Sequence, residues 1–306
     1  MSDTETKLRD IAVVVGRDHA RAGSTRLRGE QLAQLCAEAA SGSGHRVMLR
    51  YHDEPVRGSV AIIHKTVLLP PYGDALPRLQ AAGCRLLLDF LDRAVRPSLA
   101  KQGDGFIACS GPQAEHLARH FPGKPVVELP HHADLEVAYA TTRPDGWRCG
   151  YFGDPQNAEH LDALVAAGLV TASATPIHNG NQWREALSRF NIHYAVRRRG
   201  LPHARFKPFT KGMLAARVGA VALVGANDEE ALRLLGADYP FTVPSDIGPR
   251  RMVAALETLK EGFGDARWDL AQARMAPLRE IGSAAWQAGV LREALFGEGP
   301  IAGWLR

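Results

Sequence analysis

The chain lacks the features that mark several large protein classes. It holds four cysteines in 306 residues, Cys36, Cys84, Cys109 and Cys149. No two have metal-ligand spacing and each sits among apolar or small residues, so a disulfide scaffold is excluded and buried free thiols in a reducing cytoplasm are expected. No stretch approaches the ~18 uninterrupted apolar residues of a membrane span. Met1 to Asp10 is polar and charged, without the apolar core of a secretion signal. Neither G-x-G-x-x-G nor G-x-x-x-x-G-K-[ST] occurs after the apolar strands ending at Val15 and Phe152. Dinucleotide oxidoreduction and P-loop phosphoryl transfer therefore lack their signatures. Ser/His/Asp, zinc and paired-carboxylate motifs are missing too. The five tryptophans are spread singly, as packing residues rather than a base-stacking platform. A net charge of +4 is modest and does not demand nucleic acid, though it leaves peripheral membrane attachment through a basic surface open.

What is present is an ordinary apolar share, 45%, and strand and helix signals that alternate from end to end. Ile11 to Val15 is a continuous apolar run ending at Gly16, as in a strand buried on both faces. Further strands are expected at Arg46–Tyr51, Val60–His64, Arg85–Leu88, Phe106–Cys109 and Val126–Leu129, with helices at Leu27–Ala40, Tyr72–Ala82 and Pro112–His120. A second series follows, with strands at Arg148–Phe152, Val170–Ala174, Ile192–Val196, Ala220–Val224 and Tyr239–Val243. Its helices are expected at Asn157–Ala167, Gln182–Arg189, Met213–Val218, Glu229–Leu235, Pro249–Lys260 and Ala266–Phe296. Alternation of this kind predicts an α/β protein with two doubly wound, Rossmann-like domains, divided near Ala138 to Gly146, where the sequence is small, polar and contains Pro and Gly. Ligands of such sheets sit at the carboxyl ends of strands.

The most informative stretch is basic. From Arg197 to Arg217 there are seven Lys or Arg residues and no Asp or Glu, with apolar strands on both sides. Cations at a strand end facing a helix start make a site for a polyanion of diphosphate size. Arg197, Arg198, Lys207 and Lys211 are the cations; Thr210 is a good N-cap type, and Gly212 has no Cβ to keep a phosphate from the backbone. The alternative is a solvated basic face beside a capped helix. Gly153, in the turn before Asp154-Pro155, is a candidate phosphate contact. Gly23 and Ser24 open a helix after a loop holding Asp18 and His19, either as an ordinary cap or as a contact to acceptor or phosphate. His64, at a strand end, is a candidate base or sugar-hydroxyl contact, and Lys65 follows it. Asp89 and Asp92 suit capping or pairing with Arg93 or Arg96 better than metal binding. His131 and His132 are adjacent on an extended segment and point to opposite faces, against joint ligation of a metal.

Taken together these segments resemble a glycosyltransferase of the GT-B fold, nearest to the family 4 type. CGYFG resembles the strand and loop that open the donor domain, FNIHYAVRR the strand before the donor diphosphate, and KPFTKGMLAARVGAVALVG the helix start that binds the donor. SVAIIHK, LLLDFLD, FIACSGPQAEHL and VVELPHHAD resemble successive elements of the acceptor domain. The resemblance implies an acceptor-binding domain over residues 1–138, a nucleotide-sugar domain over 139–284, and a C-terminal helix over 285–306 that packs back on the first domain, with the two domains facing a cleft. It implies sugar transfer from a nucleotide-diphosphate sugar to a hydroxyl or amine of a small molecule, glycan or lipid-linked carrier. No cofactor or metal is implied, because the clustered cations would stabilise the leaving diphosphate. A retaining enzyme would need no protein base; for an inverting one the candidates are His64, His19 and Asp18. Family 4 enzymes commonly carry two glutamates eight positions apart, and here the matching positions are Lys207 and Ala215. Two alternatives follow: a degenerate GT-B protein that binds a nucleotide or partner without turnover, and a nucleotide-sugar epimerase on the same fold.

Overall fold

The computed structural model describes residues 10–20, 22–140, 146–174, 182–200, 204–244 and 246–305. Part of the expected boundary segment, residues 141–145, lies outside them. By contacts the chain divides into two compact units. Unit 1 comprises Met1–Pro130, Phe206–Pro208 and Ala284–Arg306; unit 2 comprises His131–Arg205 and Phe209–Ser283.

Unit 1 is built on a parallel sheet of six strands, β1 Asp10–Val15, β2 Arg46–Tyr51, β3 Ser59–His64, β4 Arg85–Asp89, β5 Gly105–Ala108 and β6 Val126–Glu128, in the order β2-β1-β3-β4-β5-β6. β1 and β3 are buried at every position, as continuous apolar runs in a two-face-covered sheet should be. β2, at the edge, is half-exposed and carries Arg46, Arg50 and Tyr51. The chain order reverses between β1 and β3, so their carboxyl ends, Gly16 and His64, flank the unit's switch point.

The helix after β1 starts earlier than its apolar pattern suggests. It runs from Gly23–Thr25 through a π-helical stretch, Arg26–Gln31, into Leu32–Ala39. The π stretch turns Arg28 fully inward, against the apolar expectation for a helix core. Its Nε donates to Asp89 Oδ2 at 3.0 Å and its Nη1 to the Leu129 carbonyl at 3.1 Å. The last long helix divides at Gly282–Ser283 into Ala266–Ile281 and Ala284–Phe296, and the second piece belongs to unit 1. There Arg292 donates to the carbonyls of Glu38 and Ala39, closing the carboxyl end of the Leu32–Ala39 helix.

Unit 2 carries a second parallel sheet, β7 Cys149–Gly153, β8 Thr171–Ala174, β9 Ile192–Tyr194, β10 Val221–Gly225 and β11 Thr242–Val243, in the order β11-β10-β9-β7-β8. Its reversal lies between β7 and β9. Tyr151, Tyr194, Leu223, Met252, Trp268 and Leu278 meet in one apolar core. β9 and β11 are assigned shorter than their apolar runs, although Ala195 N–H still donates to the Leu223 carbonyl at 2.8 Å and the Phe241 carbonyl accepts from Val224 N–H at 3.0 Å.

Candidate functional site

The switch point of unit 2 gathers part of the basic stretch. The loops leaving β7 and β9 are zipped together: Glu159 N–H donates to the Val196 carbonyl at 3.1 Å and Arg198 N–H to the Asn157 carbonyl at 3.0 Å. Gly153 ends β7 at φ +145°, a conformation side chains rarely adopt. A Cβ added there would lie 3.2 Å from Lys211 Nζ. The Lys211 ammonium stands 5.0 Å from the centroid of the Tyr151 ring, a cation–π arrangement. Tyr151 in turn donates its hydroxyl to the Asp154 carbonyl at 2.5 Å. Burial and the Asp154 carboxylate push its phenol up to about 12. Tyr151 stays a neutral platform at ordinary pH, with the Lys211 ammonium over its ring at the carboxyl end of β7. Arg198 is exposed beside an open groove of about 510 Å³ that Gln156, Glu159, His160 and Pro249 also line.

The other predicted cations are engaged elsewhere. Arg197 is ion-paired with Asp228 at 2.9 Å, the residue that caps the Glu229–Leu235 helix, and also donates to the Ala204 carbonyl. Part of its charge is thus answered by a carboxylate within unit 2. Lys207 belongs by contacts to unit 1, whereas Arg197, Arg198 and Lys211 belong to unit 2.

Two expectations about the helix start also change. The helix spans Thr210–Arg217 with Phe209 at the N-cap and no side-chain cap bond, so Thr210 is the first helical residue and does not cap. Gly212 is buried, and a Cβ on it would meet the Phe209 ring at 2.0 Å. The missing side chain makes room for Phe209, not for a phosphate.

In unit 1, Gly16 N–H donates to Thr66 Oγ1 at 2.9 Å, and Thr66 Oγ1 lies 2.8 Å from His64 Nδ1. His64, at the end of β3, is fully buried. Asp18 is exposed and accepts a 2.5 Å hydrogen bond from the Tyr72 hydroxyl. That bond, with burial, raises the phenol above its ordinary range. His19 is half-buried, and its carbonyl accepts from Thr25 Oγ1. Gly23 and Ser24 open the helix as expected, in its first turn, with Ala22 at the N-cap and no side-chain cap bond. Lys65 pairs with Asp92 at 2.6 Å, so Asp92 does not pair with Arg93 or Arg96 as expected. His131 and His132 are both buried. Among the described residues no three His, Cys, Asp or Glu side chains cluster as a metal site.

Sequence reasoning missed Tyr151 beneath Lys211, Thr66 between Gly16 and His64, and Asp228 opposite Arg197. The last was hidden by 31 residues of separation. The first two looked like ordinary core and turn residues.

No model of a known protein family and no curated protein sequence matches the chain. Solved structures do. A glycosyltransferase from Rickettsia africae ESF-5 aligns with a TM-score of 0.62 at 10% identity, over 94% of this chain and 98% of that one. HepE of Anabaena in complex with UDP-glucose aligns at 0.58 and 10%, over 94% and 99%. The fold is GT-B. The GtfA/B complex aligns at 0.52 and 12% over 77% of this chain, which spans only 56% of that neighbour's length. This GT-B chain has no helix, among the described residues, long and apolar enough to cross a membrane.

Proposed function

We propose that the chain is a metal-independent glycosyltransferase, similar to the family 4 type, that moves a sugar from a nucleotide-diphosphate sugar to a hydroxyl or amine acceptor. The observation that carries this reading is Lys211, held over Tyr151 and Gly153 at the carboxyl end of β7, where the sheet order reverses. A fold neighbour that is a glycosyltransferase, and another bound to UDP-glucose, support it. A cytoplasmic location is part of the reading, in keeping with four buried free cysteines.

The chemistry follows from charge. As the bond from the anomeric carbon to the diphosphate oxygen breaks, the electron pair goes to the leaving group. Lys211 is placed to stabilise that negative charge, with exposed Arg198 as a second cation. The acceptor oxygen or nitrogen forms the new bond to the anomeric carbon. Its proton goes to the leaving phosphate in a retaining reaction or to a carboxylate in an inverting one. Of the three candidate bases, Asp18 is the one with both exposure and a carboxylate; His64 is enclosed, and His19 is half-buried.

The test is a thermal-shift screen of nucleotide diphosphates and their sugars, followed by a nucleotide-release assay. A true ligand raises the melting temperature of the wild type. Lys211→Ala is expected to weaken nucleotide-diphosphate binding by about 10- to 150-fold, the value of one charge-assisted contact of about 1.5–3 kcal/mol. Full affinity in that variant would end the proposal. The second reading, binding without turnover, is favoured by Lys207 and Ala215 at the positions of the family's glutamates. A ligand that binds through Lys211 but releases no nucleotide with any acceptor selects it, and interconversion of the sugar without acceptor selects an epimerase.

A further inference from the structure

Unit 1 carries an open groove of about 240 Å³ between the loop that leaves β3 and the short helix Pro97–Ala100 that follows β4. Its wall is apolar, formed by Leu68, Pro70, Pro71 and Leu99 together with Tyr72. Proline fixes its own φ, so part of this wall is set before anything binds. Among the described residues that line the groove, Arg96 alone is charged. Arg96 is exposed, and its guanidinium makes no ion pair, hydrogen bond or ring contact with the described residues. An apolar wall accepts any hydrocarbon of the right size; an unanswered cation at its rim narrows the choice to one that carries negative charge.

Tyr72 joins this groove to the switch point of the sheet. Its hydroxyl donates to Asp18 Oδ2 at 2.5 Å, its ring lies 4.0 Å from that of His52, and its Cε2 would stand 3.1 Å from a Cβ on Gly16, just past β1. Asp18 follows β1 and Arg96 follows β4, and in the sheet these strands flank β3. The two loops therefore leave strands ~10 Å apart, two strand spacings. The Asp18 carboxylate repels an anion and accepts from a hydroxyl, so a molecule that carries both groups is oriented with its anion towards Arg96. Size limits it further. The groove exceeds the ~150 Å³ of a cavity that holds benzene and falls short of the ~300–1,000 Å³ usual for drug-sized ligands. One substituted ring fits, and a nucleotide-diphosphate sugar does not.

We propose that the groove binds an aromatic hydroxy acid, with the ring on the Leu68, Pro70, Pro71 and Leu99 wall, the carboxylate paired with Arg96 and the hydroxyl donating to Asp18. That such a molecule is the acceptor rests on the transfer reading; that the groove binds it does not. Arg96 selects the acid over a neutral molecule of the same shape, and the wall selects a ring over a bare carboxylate.

The experiment titrates the full chain with 4-hydroxybenzoate at constant ionic strength, followed by saturation-transfer NMR. Benzoate, 4-hydroxybenzyl alcohol, acetate and octanoate are the comparison probes. Saturable binding of 4-hydroxybenzoate is expected, weakened about tenfold by Arg96→Ala, the loss of one charge-assisted contact. The same variant should bind 4-hydroxybenzyl alcohol as the wild type does, and Arg96→Lys should recover part of the affinity for the acid. Asp18→Ala is expected to weaken 4-hydroxybenzoate about tenfold and to leave benzoate binding no weaker. Absence of saturable binding, an equal loss for acid and alcohol in Arg96→Ala, or acetate or octanoate binding as tightly as benzoate overturns the proposal. Circular dichroism melts check folding, and if Asp18→Ala does not fold, the acid-against-alcohol comparison in Arg96→Ala decides. Failure here leaves nucleotide binding at Lys211 untouched, and failure there leaves the groove untouched, so the two readings fall separately.

Discussion

Arg28→Met should be among the most destabilising single substitutions in unit 1 that leave an apolar side chain of similar length. Arg28 and Asp89 are both fully buried and 3.0 Å apart. Removing the arginine leaves Asp89 with the Leu91 N–H as a hydrogen-bond donor and no cation. An uncompensated buried charge of this kind costs about 3–5 kcal/mol. That is a large part of the ~5–15 kcal/mol that holds a typical domain folded. The pair itself is not a source of great stability, because Arg28 already carries an unpartnered Nη2, a cost of about 1–3 kcal/mol. Replacing both partners, Arg28→Met with Asp89→Asn, removes the stranded charge and that orphan together while keeping an acceptor for Leu91. The double variant is therefore expected to be more stable than the sum of the single losses by about 1–3 kcal/mol. Native-state hydrogen exchange on the full chain reads this directly, through peptides covering β3, β4 and β5. Additive losses, or a single-variant loss below about 1 kcal/mol, would refute the reasoning, since typical exposed ion pairs are worth no more than that.

Other outcomes follow from single contacts. Gly212→Ala should displace the buried Phe209 ring, because the new Cβ would stand 2.0 Å from it; a loss of about 1–3 kcal/mol is expected in chemical denaturation, with nucleotide binding reduced as the Lys211 helix shifts. His193 is buried as a neutral ring, and burial, opposed only by its hydrogen bond with the Leu187 carbonyl, lowers its pKa to about 4. The unfolded ring titrates near 6.5, so the unfolded chain binds the proton first and stability falls as pH drops from about 6.5 towards 4. The loss approaches about 3 kcal/mol, and His193→Asn should flatten the slope of melting temperature against pH over that window relative to the wild type.

Most of the fold was legible because buried parallel strands are continuous apolar runs, and Gly16, Gly153 and Gly219 mark where strands or helices stop. The places where the pattern misled have physical causes. The Arg26–Gln31 stretch winds as a π-helix, which turns a polar Arg28 into the core. The apolar run past Tyr194 leaves β10 after one bond, Ala195 N–H to the Leu223 carbonyl, and the Val196 carbonyl accepts from Glu159 N–H instead. The long terminal helix breaks at Gly282, whose added Cβ would stand 3.1 Å from the Leu278 carbonyl.

The site was legible as composition but not as geometry. Sequence alone determined two series of parallel strands, with Gly153 and Lys211 near strand ends, because apolar periodicity and turn chemistry are local properties. It could not sort the cations. Arg197 went to Asp228 and Lys211 to the face of Tyr151. Only the tertiary structure decided that, because the energy of a charge depends on which groups stand within a few ångströms of it, and those groups come from distant parts of the chain.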